Sequence, residues 1–232
     1  VLLCRTGIPT AVAVEHNRSS WIADLRGKTI CLDPGHSRAT VGAHGRRLSE
    51  YRVCWQVALK LQEALQAEGA TVVMTKHNVD ENVKNEDRAA IANGCHADLF
   101  LRLHCDAGAG SGIATYYPDR QGVFNGVRGP ERDVMEASRR LIYRFHPAMI
   151  KALHSALHDR GIHTDAETYV GGRQGGALTG SIYSRVPVLL VEMCVLTNPK
   201  DEAFIGSDSG KDRVVAAMAA GVAAAVADSA GP

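Results

Sequence analysis

The feature that most narrows what this 232-residue chain can fold into is a recurring couplet: a short, nearly continuous apolar run followed by apolar residues at helical spacing. Lys28-Thr29-Ile30-Cys31-Leu32 is the first such run, and it stops at Asp33-Pro34-Gly35. After a glycine-spotted loop, Ser49 stands as a helix N-cap. Apolar side chains then recur at Val53, Cys54, Val57, Leu61, Ala64, Leu65 and Ala67 until Gly69. Residues 71–75 read as a strand, 86–93 as a helix, and 98–103 and 113–117 as strands. Residues 118–130 have no period and read as a surface excursion. Helical patterns cover 132–145 and 148–160 with Pro147 at the junction, 187–191 is the last strand, and 211–228 is an Ala/Val helix. Strands apolar on both faces must be covered on both. The pattern therefore predicts a single α/β domain with a mostly parallel twisted sheet flanked by helices on both faces.

Composition allows this and excludes alternatives. Hydrophobic residues make up 45% and charged residues 22%, enough for a core and too apolar for wholesale disorder. Lys and Arg number 26 against 25 acids, a net charge of +1, and aromatics are 5%. Neither value recommends nucleic acid as a partner. No apolar run reaches the roughly 20 residues of a membrane-spanning helix. Six cysteines without a Cys-x-x-Cys make neither a disulfide scaffold nor a zinc ribbon. Residues 1–26 read as a leader or N-terminal arm: the apolar start is broken by Arg5 and Pro9, and Ala11-Val12-Ala13 has the look of a signal cleavage site. The domain is expected over residues 27–229.

Chemistry gathers at the ends of three strands. One runs into His36, a second into His104-Cys105-Asp106, and a third into Glu192. Ligands of open α/β sheets collect outside the carboxyl ends of strands, so these residues predict one site. Glu50, in the first turn of its helix, can fold back to the same edge. Two histidines and a carboxylate make a catalytic zinc set with a position open for water. Glu50, at a polar loop-helix junction, suits the ligand role. Glu192, behind four apolar residues, suits the general base, because burial raises a carboxyl pKa toward proton-transfer range.

Other features weigh less. His154 and His158 lie four apart on an expected helix but lack the intervening Glu of a His-Glu-x-x-His motif, and read as a solvated helix edge. His44, His96 and His163 fall in expected loops. Residues 171–180 are glycine-rich without the Lys-Ser/Thr of a phosphate loop. Cys105 and Cys194 adjoin proposed site residues and read as buried apolar thiols. Asp106 has two readings, as a hydrogen-bond acceptor for a ligand imidazole or as a turn cap.

On these residues the chain resembles the zinc-dependent N-acetylmuramoyl-L-alanine amidases, the amidase-3 family. Leu32-Asp33-Pro34-Gly35-His36 is similar to that family's L-D-P-G-H signature, and Glu50 falls where the family has a zinc-binding Glu. Arg88 with Ala92-Asn93 resembles its R-x-x-x-A-N helix, and 97–104 its A-D-L-F-x-S-x-H segment. Residues 186–192 resemble its V-P-A-V-L-V-E segment, and Thr197-Asn198 stands where the family has Ser-Asn. Departures are local: Arg102 replaces a usual Ser, Cys105-Asp106 a usual Ala-Asn, and Met193-Cys194 a usual Gly-Phe.

The resemblance implies Zn2+ held by His36, Glu50 and His104, with Glu192 as the catalytic acid. It implies hydrolysis of the amide between N-acetylmuramic acid and L-alanine of the peptidoglycan stem peptide, at the cell envelope, periplasmic or secreted. It also implies an activator protein, with the excursion from Pro118 to Pro130 as rim and residues 131–160 as a blocking insert. Two rival classes keep the same fold: a catalytically silent wall-binding or regulatory domain, and a zinc peptidase or deacetylase acting on another amide.

Overall fold

The computed structural model describes residues 24–226. The expected leader lies outside the described residues except for 24–26, and so do the last two residues expected in the final helix. In chain order the elements are β1 (Thr29–Pro34), α1 (Glu50–Ala67), β2 (Thr71–Met74), α2 (Asn85–Gly94), β3 (Leu99–Asp106) and β4 (Ile113–Tyr117). A hairpin of β5 (Gly122–Phe124) and β6 (Val127–Gly129) follows, then α3 (Arg132–Leu153) and β7 (Asp159–Thr164). Two short helices, α4 (Tyr169–Arg173) and α5 (Thr179–Ile182), lead to β8 (Val188–Val195), α6 (Pro199–Gly206) and α7 (Asp208–Val226).

Six strands form one sheet in the order β2-β1-β3-β8-β4-β7. The first four are mutually parallel. β4 runs antiparallel to β8 and parallel to β7. Alternation along each strand sorts its side chains to two faces. On one face Ile30, Leu32, Leu101, Leu103, Leu189 and Val191 pack with the apolar stripes of α1, α3 and α7. Each such side chain, fully buried, contributes about 1.5–3 kcal/mol. On the other face Cys31, Phe100 and Val188 meet Ala89 and Ala92 of α2, and Ala114, Tyr116 and Leu190 meet Leu178 before α5. The cover on this second face is short and broken, which leaves a cleft. Leu25 is fully buried in the main core, so packing begins before the expected boundary at Gly27.

Several expectations are corrected. Residues 118–130 are not wholly irregular, because they contain the β5–β6 hairpin. Pro147 does not divide two helices. It lies inside α3, whose Ile142, Phe145, Met149 and Leu153 are buried along one stripe that carries the helix through the proline. The helix expected over 148–160 stops at Leu153 and residues 159–164 form a strand, so His154 and His158 do not share a helix edge: His154 caps α3 in a left-handed conformation (φ 50°). His163 lies in β7, stacked on Tyr116, and not in a loop. None of residues 131–160, expected as a blocking insert, lines the cleft. α3 packs on α7, on the face opposite the cleft.

Candidate metal centre

β1, β3 and β8 run parallel, so their carboxyl ends reach one edge of the sheet. His36 stands two residues beyond β1. His104 and Glu192 lie inside β3 and β8, which extend past their expected ends, and the two are register partners. Glu50 is the first residue of α1. Ser49 holds the N-cap position there but makes no side-chain cap hydrogen bond.

The backbone is bent to serve this meeting. His36 has φ 61°, a left-handed conformation that a non-glycine residue keeps only when its surroundings impose it. They do: Lys76 Nζ donates to the His36 carbonyl at 2.9 Å, Arg88 Nη2 donates to it at 3.3 Å, and Arg88 Nη1 donates to the Pro34 carbonyl at 2.8 Å. Gly35 lets the chain pass against the His104 ring, where a Cβ would come within 2.5 Å of Cε1.

The sequence-expected ligands converge. Glu50 Oε1 lies 2.9 Å from His104 Nδ1 and 3.2 Å from His36 Nε2. The two imidazoles meet edge to face with centroids 5.0 Å apart. Glu50 is fixed further by Ala43 N–H donating to Oε2 at 2.6 Å and Cys105 N–H donating to Oε1 at 3.0 Å. Among the described residues, one ligand atom from each of His36, Glu50 and His104 fits within 4.8 Å of the others, so this trio can hold a metal ion. Ligands about 2.1 Å from a tetrahedral ion lie roughly 3.4 Å apart, close to the spacing found here. Burial opposes ionisation of Glu50, but hydrogen bonds from His104 and His36 overcome it and hold the carboxyl well below its usual range. Burial likewise pushes His104 down, toward the neutral form that can ligate.

Glu192 is different. The residue is half-buried, its Oε2 is sealed from solvent, and that oxygen has no partner. Burial first, then the negative charges of Glu50 and Asp106, raise its pKa well above the ordinary value. His104 Nε2 is the other orphaned buried atom of the site. Orphans of this kind mark a place completed by something other than the chain.

Asp106 does not accept from a ligand imidazole. It takes Arg160 Nη2 at 2.7 Å and the Ala107 N–H at 2.8 Å. Cys105 and Cys194 are buried free thiols, as expected. Cys105 is pushed well up by contact with the thiols of Cys194 and Cys54, which leaves no thiolate for nucleophilic work.

The site opens into a cleft of about 680 Å³. Asn82 to Glu86 with Arg88 form one wall, Thr168 to Val170 with Leu178 and Thr179 the other, and Arg102 and Leu190 lie along the bottom. The hairpin supplies no lining residue, so the rim expected from 118–130 belongs to 168–179 instead, on which the hairpin packs through Gly122, while Gly129 lies against Ile182. Sequence reasoning missed a buried cluster below the ligands. Asp33 Oδ1 takes Arg88 Nη1 and Thr75 Oγ1, and Asp33 Oδ2 takes Arg102 Nε at 3.0 Å. The one signal for it was an acid closing an otherwise apolar strand.

With this geometry in view, comparison with known proteins is informative. The family model for N-acetylmuramoyl-L-alanine amidase matches residues 30–224. The amidase LytC of Bacillus subtilis is 30% identical over 195 residues, covering 83% of this chain and 34% of LytC, so the chain spans about a third of that protein. The apo form of the N-acetylmuramyl-L-alanine amidase Ami1 from Mycobacterium abscessus shares the fold with a TM-score of 0.72 at 21% identity, covering 87% of this chain and 100% of Ami1. The CwlD amidase of Clostridioides difficile, solved in complex with the GerS lipoprotein, gives 0.60 at 20% identity, covering 84% of this chain and 96% of CwlD. Parallel strands that carry His36, His104 and Glu192 to one edge, within a match spanning most of the sequence, place this chain in the N-acetylmuramoyl-L-alanine amidase family.

Proposed function

We propose that this protein cleaves the amide between N-acetylmuramic acid and the L-alanine of the peptidoglycan stem peptide, with Zn2+ held by His36, Glu50 and His104 and with Glu192 as the general base. The observation that carries the reading is the pairing of three converged donors with an acid whose sealed oxygen has no partner one strand away, His104 opposite Glu192. Two imidazoles and one carboxylate form a donor set suited to zinc with a position left open. When bound, zinc supplies Lewis-acid activation of water and of the amide carbonyl.

The protein's own groups do the rest. Glu192 takes a proton from the attacking water and returns it to the departing nitrogen, and its raised pKa makes both transfers cheap. Ala43 N–H donates to Glu50 Oε2 and Cys105 N–H to Oε1, which keeps the carboxylate in place beside the two imidazoles. The cleft admits a polymer-borne stem peptide. The catalytic unit expected over 27–229 then takes in Leu25 and acts at the cell envelope. The CwlD amidase solved with a lipoprotein supports an activator protein as a partner here as well. Among the described residues no helix is long and apolar enough to cross a membrane.

Digestion of purified cell wall tests this. Wild type frees intact stem peptides from glycan, and Glu192→Gln does so on the order of a hundredfold more slowly at equal zinc content. Release of deacetylated sugar or internally cut peptide would replace the amidase reading with one of its rivals.

A further inference from the structure

We propose that Arg102 forms a carboxylate-binding subsite on the floor of the cleft, taking the acidic group of the peptide residue second from the scissile amide. This rests on the amidase reading above. Arg102 precedes His104 by two residues on β3, so both side chains leave the same face, about 7 Å apart along the strand. An extended peptide covers that distance in two residues. Arg102 opposes Leu190 in register, as His104 opposes Glu192, and it lines the same cleft.

The charges beneath the cleft do not balance locally. Asp33, fully buried, is shared between Arg88 and Arg102. The second partner of Arg102 is neutral: Nη2 donates to Asn85 Oδ1 at 2.8 Å. Lys76, also fully buried, donates only to the carbonyls of His36 and Val79. Asp165, the next buried acid, accepts from Leu178 N–H at 3.1 Å and from Ser181, and acts on Arg102 through space without a hydrogen bond to it. A buried cation whose one directly bonded acid is shared with a second guanidinium is costly, and a substrate carboxylate completes it. Geometry favours this too. Asp33 and Asn85 hold Nε and Nη2, and Gly180 lays bare backbone over the group, where a Cβ would come within 2.6 Å of Cζ and Nη1. A planar fork held in this way is preorganised for carboxylate recognition. The position is one where the family motif carries a small neutral Ser, so the preference would belong to this chain.

The test is calorimetric binding of two stem tripeptides that differ only in a free carboxyl or a carboxamide on the second residue. Wild type should bind the acid about tenfold tighter or more. Arg102→Gln should close that gap to below about twofold, and Arg102→Lys should retain part of it. Thermal melts report whether each variant is folded. If Arg102→Gln is not, the wild-type pair and Arg102→Lys decide. Equal binding of both peptides by wild type, or a gap that survives Arg102→Gln, overturns the subsite. Because binding is read instead of cleavage, a wall digest that freed no stem peptide would remove the amidase reading by a separate result.

Discussion

Two charged clusters share one face of the sheet, two residues apart along β3. The lower one joins Asp33, Arg88, Arg102 and Thr75, and every oxygen of Asp33 has a donor. The upper one joins His36, Glu50, His104 and Glu192, and leaves His104 Nε2 and Glu192 Oε2 buried without partners. Both are removed from water, so both carry a desolvation penalty. In the lower one the Asp33 carboxylate recovers it within the chain, through Arg88, Arg102 and Thr75. The lower cluster therefore fixes backbone, the carbonyls of Pro34 and His36 above all, while the upper one keeps unsatisfied valence for an ion and a proton. Structure and chemistry are divided between neighbouring rungs of the same strands.

The comparison can be broken at either rung. Asp33→Ala strands two guanidiniums and should cost about 3–5 kcal/mol of stability, read as a lowered urea midpoint. A loss under about 1 kcal/mol would mean the lower cluster is not a structural anchor. Glu192→Gln should do the reverse, lowering turnover on the order of a hundredfold while the midpoint holds or rises, since an unpartnered buried acid is removed. A destabilised but active Glu192→Gln would merge the two rungs.

Acidity separates them in the metal-free protein. The Glu192 carboxyl is raised, so its favourable share of stability is whole below its ordinary value of 4.5 and falls away as pH climbs through the raised one. The Asp33 carboxyl is lowered, because Arg88, Arg102 and Thr75 together outweigh its burial. Its share is present above 3.8 and falls away as pH drops through the lowered value. Glu192→Gln should therefore gain on wild type at pH 8 and meet it near pH 4. The deficit of Asp33→Asn should be full at pH 7 and shrink in strong acid. Parallel pH curves for both variants would contradict this assignment of charge. The smallest effect is expected at Ser49→Ala, within about 0.5 kcal/mol. That N-cap makes no side-chain bond, whereas a working cap is worth roughly 1 kcal/mol.

Much of this was written locally in the sequence. The apolar runs that became β1, β3 and β8 were legible because strands buried on both faces need continuous apolar residues. His36, Glu50, His104 and Glu192 were legible because ionisable residues at such strand ends are anomalous. What escaped depended on distant partners. Pro147 punctuates a helix on local rules, yet the burial of Phe145 and Met149 against α7 overrides it. Residues 159–164 show no strand signal of their own and pair because β4 lies open beside them. Asp106 joined Arg160, 54 residues away, and Asp33 joined Arg102, 69 residues away. The start of α6 was legible and overlooked: Asn198-Pro199 is a cap followed by a first-turn proline, and Asn198 accepts from the N–H groups of Lys200 and Asp201.

The most direct test is calorimetric titration of the metal-stripped protein with zinc, wild type against Glu50→Gln. One zinc per chain in wild type, with affinity lower by a hundredfold or more in Glu50→Gln, is the predicted result. No binding by wild type, or undiminished binding by Glu50→Gln, would contradict a metal held at this edge of the sheet.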